Sequence, residues 1–302
     1  MKWLSECINS FYSSEYTKEP ISIAPLSTLA LPEVIPIQCQ GCVKPCAHPL
    51  VPSHLKIDQS KPLENTVPSY AIHIIVMTGK TDWASHIEDE GLAQALIESL
   101  HQRKDERASE NRYHPAYTTE ESNDMNNNRV IVTNSSLPSQ YSTHRGAQDI
   151  ILLPDNIIIA NITNRRVNAL LDYIYGKPCN QPFSIHPCPF TNLVLICGHG
   201  RKDRRCGTVG PMLQQALLQA LPDQRESVQV ALVSHLGGHA FAGNMVIYTH
   251  SGHRAIWYGR VTPCDCKEIV ENTLQDDKIL EGFVRGIFEV KTDPKKCQSF
   301  EW

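Results

Sequence analysis

The chain has 302 residues, 41% of them hydrophobic and 20% charged, with a formal net charge of -4. That length suits two domains of ordinary size, and the charge gives no whole-chain attraction to nucleic acid or to an anionic membrane. The longest apolar stretch, residues 149–162, is broken by Pro154, Asp155 and Asn156 and is far shorter than the roughly 20 residues of a membrane helix.

Residues 1–68 are rich in proline and polar side chains and read as an extended or partly ordered lead-in. Glu6, Glu15 and Glu19, with no arginine beside them, are unlike an arginine-rich mitochondrial presequence, so the expected compartment is the cytosol. The lead-in carries "CQGCVKPC", with Cys39, Cys42 and Cys46, and His48 follows. A thioredoxin-type pair should lie between a strand and a helix, whereas this cluster lies among Pro32, Pro36, Pro45 and Pro49. It reads as a second metal site or a labile redox pair rather than an oxidoreductase site.

The apolar run at 69–77 predicts a buried strand, and Leu92, Ala95, Leu96 and Leu100 predict an amphipathic helix over 90–102. Residues 104–128 are polar and aperiodic and read as a long exposed loop. Strands are expected at 129–133, 149–153 and 156–160, then a helix over 164–175. The second half repeats the order. A strand at 193–197 precedes a helix at 210–221 with Pro211 in its first turn; strands at 228–234, 245–249 and 255–261 and a helix near 266–275 follow. The grammar is βαβββα twice, which predicts an α/β protein of two thioredoxin-like units. They span 69–190 and 191–290, with a boundary near "HPCPF" at 186–190 and a tail at 291–302.

Strands joined by a crossover helix usually run parallel, and their carboxyl ends emerge at the edge where open α/β sheets place their sites. Cys197 ends one such strand and His235 the next, with Cys206 and His239 on the loops that follow. Two cysteines and two histidines suit zinc, or a [2Fe–2S] cluster in which imidazoles replace two thiolates. Structural zinc knuckles usually pair cysteines two to four residues apart, so the wide gap in "CGHGRKDRRCG" suits a two-iron rhombus better, and zinc stays the alternative. Gly198, Gly200, Gly207, Gly237, Gly238 and Gly243 would let backbone approach a cofactor. Eleven cysteines in a reducing compartment favour metal or redox chemistry over structural disulfides. His199 and His253 read as ordinary polar residues.

The stretches "CGHGRKDRRCG", "SHLGGHAFAGN" and "IWYGRVTP" resemble the signature of the sucrase/ferredoxin-like family, in its fungal branch. The likeness covers roughly residues 69–302 and is strongest over 193–263. It implies a thioredoxin-like ferredoxin domain whose [2Fe–2S] cluster is held by Cys197, Cys206, His235 and His239, and an electron carrier in redox homeostasis rather than a catalyst with its own substrate. Two thiolates and two neutral imidazoles leave the oxidised cluster uncharged, so its potential should exceed that of four-cysteine plant-type ferredoxins. Arg201, Lys202, Arg204 and Arg205 would favour the reduced form and dock an acidic donor. The final "SFEW" resembles the tail by which cytosolic iron–sulfur clients engage the assembly targeting complex, with Trp302 as anchor. Two other function classes are a zinc-stabilised binding module and a thiol enzyme using Cys39 or Cys264. No phosphate loop, dinucleotide fingerprint or catalytic triad stands out.

Overall fold

The apolar runs of the sequence become strands buried on both faces, stacked edge to edge. The computed structural model describes residues 32–37, 49–103, 113–115, 129–177, 182–222 and 227–290. Its strands are β1 (Val34–Ile35), β2 (Ile72–Met77), β3 (Tyr113–Pro115), β4 (Val130–Ser135), β5 (Gln148–Leu153), β6 (Ile157–Ile162), β7 (Ser184–Pro187), β8 (Asn192–Cys197), β9 (Val228–Val233), β10 (Met245–Thr249), β11 (Arg254–Tyr258), β12 (Ile279–Leu280) and β13 (Val284–Val290). The helices are α1 (Gly91–Gln102), α2 (Val167–Ile174) and α3 (Arg204–Ala220), and the chain turns helically again from Pro263–Asp265 through a π-helical segment at Ile269–Gln275.

Eleven strands form one sheet in the order β3-β13-β11-β10-β8-β9-β4-β2-β5-β6-β7. Within it the same arrangement occurs twice. In the first half α1 crosses over between the parallel strands β2 and β4, β5 and β6 follow antiparallel, and the spatial order is β4-β2-β5-β6. In the second half α3 links the parallel β8 and β9, β10 and β11 follow antiparallel, and the order is β9-β8-β10-β11. This is the thioredoxin-like strand order, present in both halves of an α/β chain. The halves join through β4 and β9, where Ser135 pairs with Val233. There Ser136 and Ser234 donate backbone amides to Leu232 and Asn134, while their hydroxyls accept from the amides of Leu232 and Asn134. Serine at this seam extends the ladder with side-chain bonds.

The structure also differs from the sequence pattern in several places. Residues 49–68 contain no strand or helix, yet Leu55, Leu63 and Val67 are buried and Arg260 donates to the carbonyls of Asp58 and Lys61. The lead-in is thus packed against the second half there, because isolated apolar residues can anchor a segment that has no periodicity. Residues 113–115, inside the expected loop, pair as β3 with β13; the rest of 104–128 lies outside the described residues. Ser184–Pro187, at the expected boundary, pairs as β7 with β6, an edge position that tolerates Pro187. β13 pairs with β11 beyond the predicted elements.

One face of each half is covered by helices: α3 and the C-terminal helical segment pack on Val194, Ile196, Val230 and Ile256, and α1 and α2 pack on Ile74, Val76, Ile150 and Ile159. The other faces of both halves share one apolar cluster, which includes Ile75, Met77, Leu195, Cys197, Cys206, Val246 and Trp257. A buried hydrogen-bonded chain crosses it. Trp257 Nε1 donates to the Tyr70 hydroxyl (3.2 Å), which meets Tyr248 (3.1 Å); Tyr248 meets His73 Nδ1 (2.6 Å), and His73 Nε2 meets Thr133 Oγ1 (2.8 Å). β2 and β10 are four places apart in the sheet, roughly 19 Å on a flat surface at about 4.8 Å per strand. Contact between His73 and Tyr248 therefore requires the sheet to curl, turning the two faces toward each other. Burial pushes His73 down to about 3, so it is neutral and every member of the chain has a partner.

Candidate metal centre

Cys197 is the last residue of β8, and its amide is held by the carbonyl of Asn244 at 2.9 Å. The helix that follows begins earlier than Pro211 suggests. Asp203 accepts the Arg205 amide (2.9 Å) as the N-cap of α3, a bond that stabilises a helix start by about 1 kcal/mol. Arg204, Arg205 and Cys206 are therefore its first turn rather than a loop, and Pro211 lies inside the helix. Gly207 and Gly210 explain the choice. A Cβ at 210 would stand 2.5 Å from Cys197 O, and one at 207 would stand 2.3 Å from Gly200 Cα. Without side chains at these positions α3 lies directly against the strand end and brings Cys206 to Cys197. Both cysteines are buried.

His235 follows β9, the parallel neighbour of β8, two residues past its end. Its amide donates to His199 Nδ1 (3.3 Å), and His199 Nε2 donates to the carbonyl of Ala84 (2.8 Å). His199 is no ligand; it is a buried bracket between the first half and the backbone of His235. The Cys197 sulfur lies 4.0 Å from His235 Nδ1, and ligand atoms of Cys197, Cys206 and His235 all lie within 4.8 Å of one another. Among the described residues this is the one group of three or more such side chains close enough to hold a metal ion. His239 opens the 3-10 turn His239–Phe241 and is exposed. Its ring centre is 5.4 Å from that of His235, outside the close trio.

Cys206 donates to Cys197, which also receives the Leu236 amide and the His235 ring, and these contacts hold Cys197 well below the usual thiol range despite its burial. The same contact with Cys197, together with burial, pushes Cys206 up.

Two further residues shape the site without a signal in the cysteine and histidine spacing. Arg285 of β13, 1% exposed, donates from Nη1 to the carbonyl of Gly237 (3.2 Å) and to Asn244 Oδ1 (3.0 Å). Asn244 in turn donates to Gly238 O at 2.8 Å. Both residues thus brace the turn that separates the two histidines. Arg285 alternates with Phe283 and Ile287, both buried, so an arginine at an inward-facing strand position is the trace it leaves in the sequence.

The basic residues divide. Arg205 is paired with Asp203 at 2.8 Å, and the Arg201 amide and guanidinium approach Asp82 at 3.3 and 3.9 Å. Lys202 meets His86 at 3.2 Å, and Arg204 is exposed on the first turn of α3. Cys264 is half-buried; its neighbour Cys266 is buried against the carbonyls of Leu213 and Thr262, and burial pushes its thiol up to about 12. Cys39, Cys42, Cys46 and Trp302 lie outside the described residues.

The donor set suits a metal group: soft sulfur, borderline nitrogen, one thiol already disposed to lose its proton, and a buried arginine beside them. Comparison with known proteins agrees in family. The family model described as sucrase/ferredoxin-like matches residues 63–286. Altered inheritance of mitochondria protein 32 of Meyerozyma guilliermondii is 45% identical over 96 residues, which cover 31% of this chain and 34% of that protein, so the match spans about a third of its length. Actin patches distal protein 1 of Saccharomyces cerevisiae is 27% identical over 246 residues, covering 73% of this chain and 74% of that protein. A thioredoxin-like [2Fe-2S] ferredoxin from Aquifex aeolicus superimposes with a TM-score of 0.28 at 21% identity, covering 35% of this chain and 96% of that one. At that TM-score the likeness carries no argument, and the fold stands on the strand order itself.

Proposed function

This chain belongs to the sucrase/ferredoxin-like family, and from that premise we propose that it is an electron carrier holding one [2Fe–2S] cluster on Cys197, Cys206, His235 and His239. The observation that carries the reading is the convergence of two buried thiols and His235 within 4.8 Å, at the carboxyl ends of two parallel strands. When bound there, the cluster supplies reversible uptake of a single electron.

The chain's own residues set the conditions. Cys197 and Cys206 bind as thiolates, so loading releases protons, and the lowered Cys197 thiol eases that step. The Leu236 amide and the His199 bracket fix the sulfur and the His235 backbone. Apolar neighbours, Leu195, Val233 and Val246 among them, keep water from the inner side. His239 is exposed and His235 half-buried, so the imidazole side is where a partner comes close. In this reading Arg201, Lys202 and Arg204 meet an acidic electron donor, while Arg205 is tied to Asp203. The same reading gives the carrier a place in cytosolic redox homeostasis and has Trp302 engage the iron–sulfur assembly targeting complex.

Iron, acid-labile sulfide and zinc analysis of the purified full chain tests the proposal. The expected result is about two irons and two sulfides per chain, with zinc near background. About one zinc per chain with no sulfide would instead make this a zinc-stabilised module.

A further inference from the structure

Arg285 is a fully buried cation surrounded by neutral acceptors. Its Nε donates to Thr66 Oγ1 (3.0 Å), Nη1 to Asn244 Oδ1 (3.0 Å) and Gly237 O (3.2 Å), and Nη2 to Thr66 O (3.4 Å). Its guanidinium carbon also stands 5.6 Å from the centre of the Phe241 ring. Among the described residues no carboxylate pairs with it; Asp203, the acid whose charge reaches Cys206, is bonded to Arg205. A buried charge left without an opposite charge costs several kcal/mol, and buried charges are almost always paired or bound to a metal group.

Asn244, whose Oδ1 accepts from Arg285, also holds the Cys197 amide through its own carbonyl at 2.9 Å, and the charge of the guanidinium reaches both cysteines. Burial pushes the guanidinium down to about 10, so it keeps its charge at neutral pH. The turn between the histidines is shaped around it. Gly238 has φ 66, and a Cβ there would stand 2.3 Å from Arg285 Nη2; a Cβ at Gly259 would stand 2.7 Å from its Cδ. The two consecutive glycines of "HLGGH" thus serve two ends: Gly237 and Gly238 both take a left-handed backbone, and Gly238 leaves room for the guanidinium.

Resting on the electron-carrier reading, we propose that Arg285 is the buried counter-cation of the centre, bracing the turn that bears both histidines and holding a positive charge against the two thiolates. Gaining one electron makes the centre one charge more negative, and a fixed cation in a low-dielectric surrounding favours that state. Arg285 therefore raises the reduction potential. It is a positioning residue and touches neither thiol directly.

The test is redox titration of the loaded full chain, with iron and sulfide content measured on each sample. In Arg285→Gln, which keeps a donor for Asn244 and loses the charge, the one-electron reduction constant is expected to fall at least tenfold, a potential lower by about 59 mV. Arg285→Lys, which keeps the charge, should stay within about threefold of the wild type. Equal shifts in both variants, or no shift in Gln, would overturn the role of the charge while leaving the carrier reading intact. If Arg285→Gln fails to retain a cluster, Asn244→Asp decides: a carboxylate placed against the guanidinium cancels its field and should also lower the constant tenfold, and an unmoved potential overturns the proposal. A wild-type chain loaded with zinc and free of sulfide overturns the carrier reading and this inference together.

Discussion

Serine in place of Cys197 or of Cys206 empties the centre: each variant is expected to purify with less than about a tenth of the wild-type iron, because a neutral hydroxyl is a poor ligand where a thiolate binds. Both sulfurs belong to the close trio with His235, so neither can be lost without leaving too few donors. The fold should survive. Serine is smaller than cysteine, and burying its hydroxyl costs roughly 1–3 kcal/mol, which a fold with this much buried apolar surface can absorb. Metal analysis beside a thermal melt separates the two effects. Wild-type iron in either serine variant would mean that the metal is held elsewhere in the chain.

The second large effect concerns no ligand at all. Gly210→Ala is expected to destabilise the protein, measured as a lower urea midpoint, although alanine is favoured over glycine inside a helix by about 1 kcal/mol. The new methyl group would stand 2.5 Å from Cys197 O and 2.8 Å from Gly198 Cα, both backbone atoms that cannot rotate away. Overpacking of this kind costs about 1–3 kcal/mol, so the clash outweighs the propensity gain. It also separates α3 from β8 and hence Cys206 from Cys197, and iron retention should fall with stability. A midpoint raised above that of the wild type would show that α3 does not depend on this contact.

The same glycines explain why part of the site is legible in the sequence and part is not. Cys197 and His235 can be placed because they follow apolar runs that form parallel strands, and parallel strands linked by one helix put their ends together. The start of α3 cannot be read the same way. Gly207, Gly210 and Pro211 are poor helix formers, so local propensity favours a loop through residue 209, and the packing of helix on strand end overrides it. In consequence the basic "RKDRR" stretch is half loop and half helix, with Arg205 turned to its own N-cap Asp203. β7 and β3 escape notice for a related reason: three- and four-residue edge strands have too few residues to show a period.

Arg285 and His199 are harder still. Their importance comes from what their bonds reach across the chain, Thr66 and Gly237 for one, Ala84 and the His235 amide for the other. Neither spacing nor composition marks such bonds. The face shared by the two halves is also invisible in sequence, since the chain from Trp257 to Thr133 exists only once the sheet has curled. What the sequence does carry is the inward-facing arginine between Phe283 and Ile287, an anomaly that identifies a buried charge but not the anion it serves.

Electron paramagnetic resonance of the purified full chain before and after dithionite decides whether the centre is redox-active. The oxidised sample should be silent, because its two ferric ions couple to zero net spin. The reduced sample should give a spin-one-half signal integrating to about one spin per chain, lost in Cys197→Ser. A chain that stays silent after reduction while holding zinc would show that the centre carries no electron.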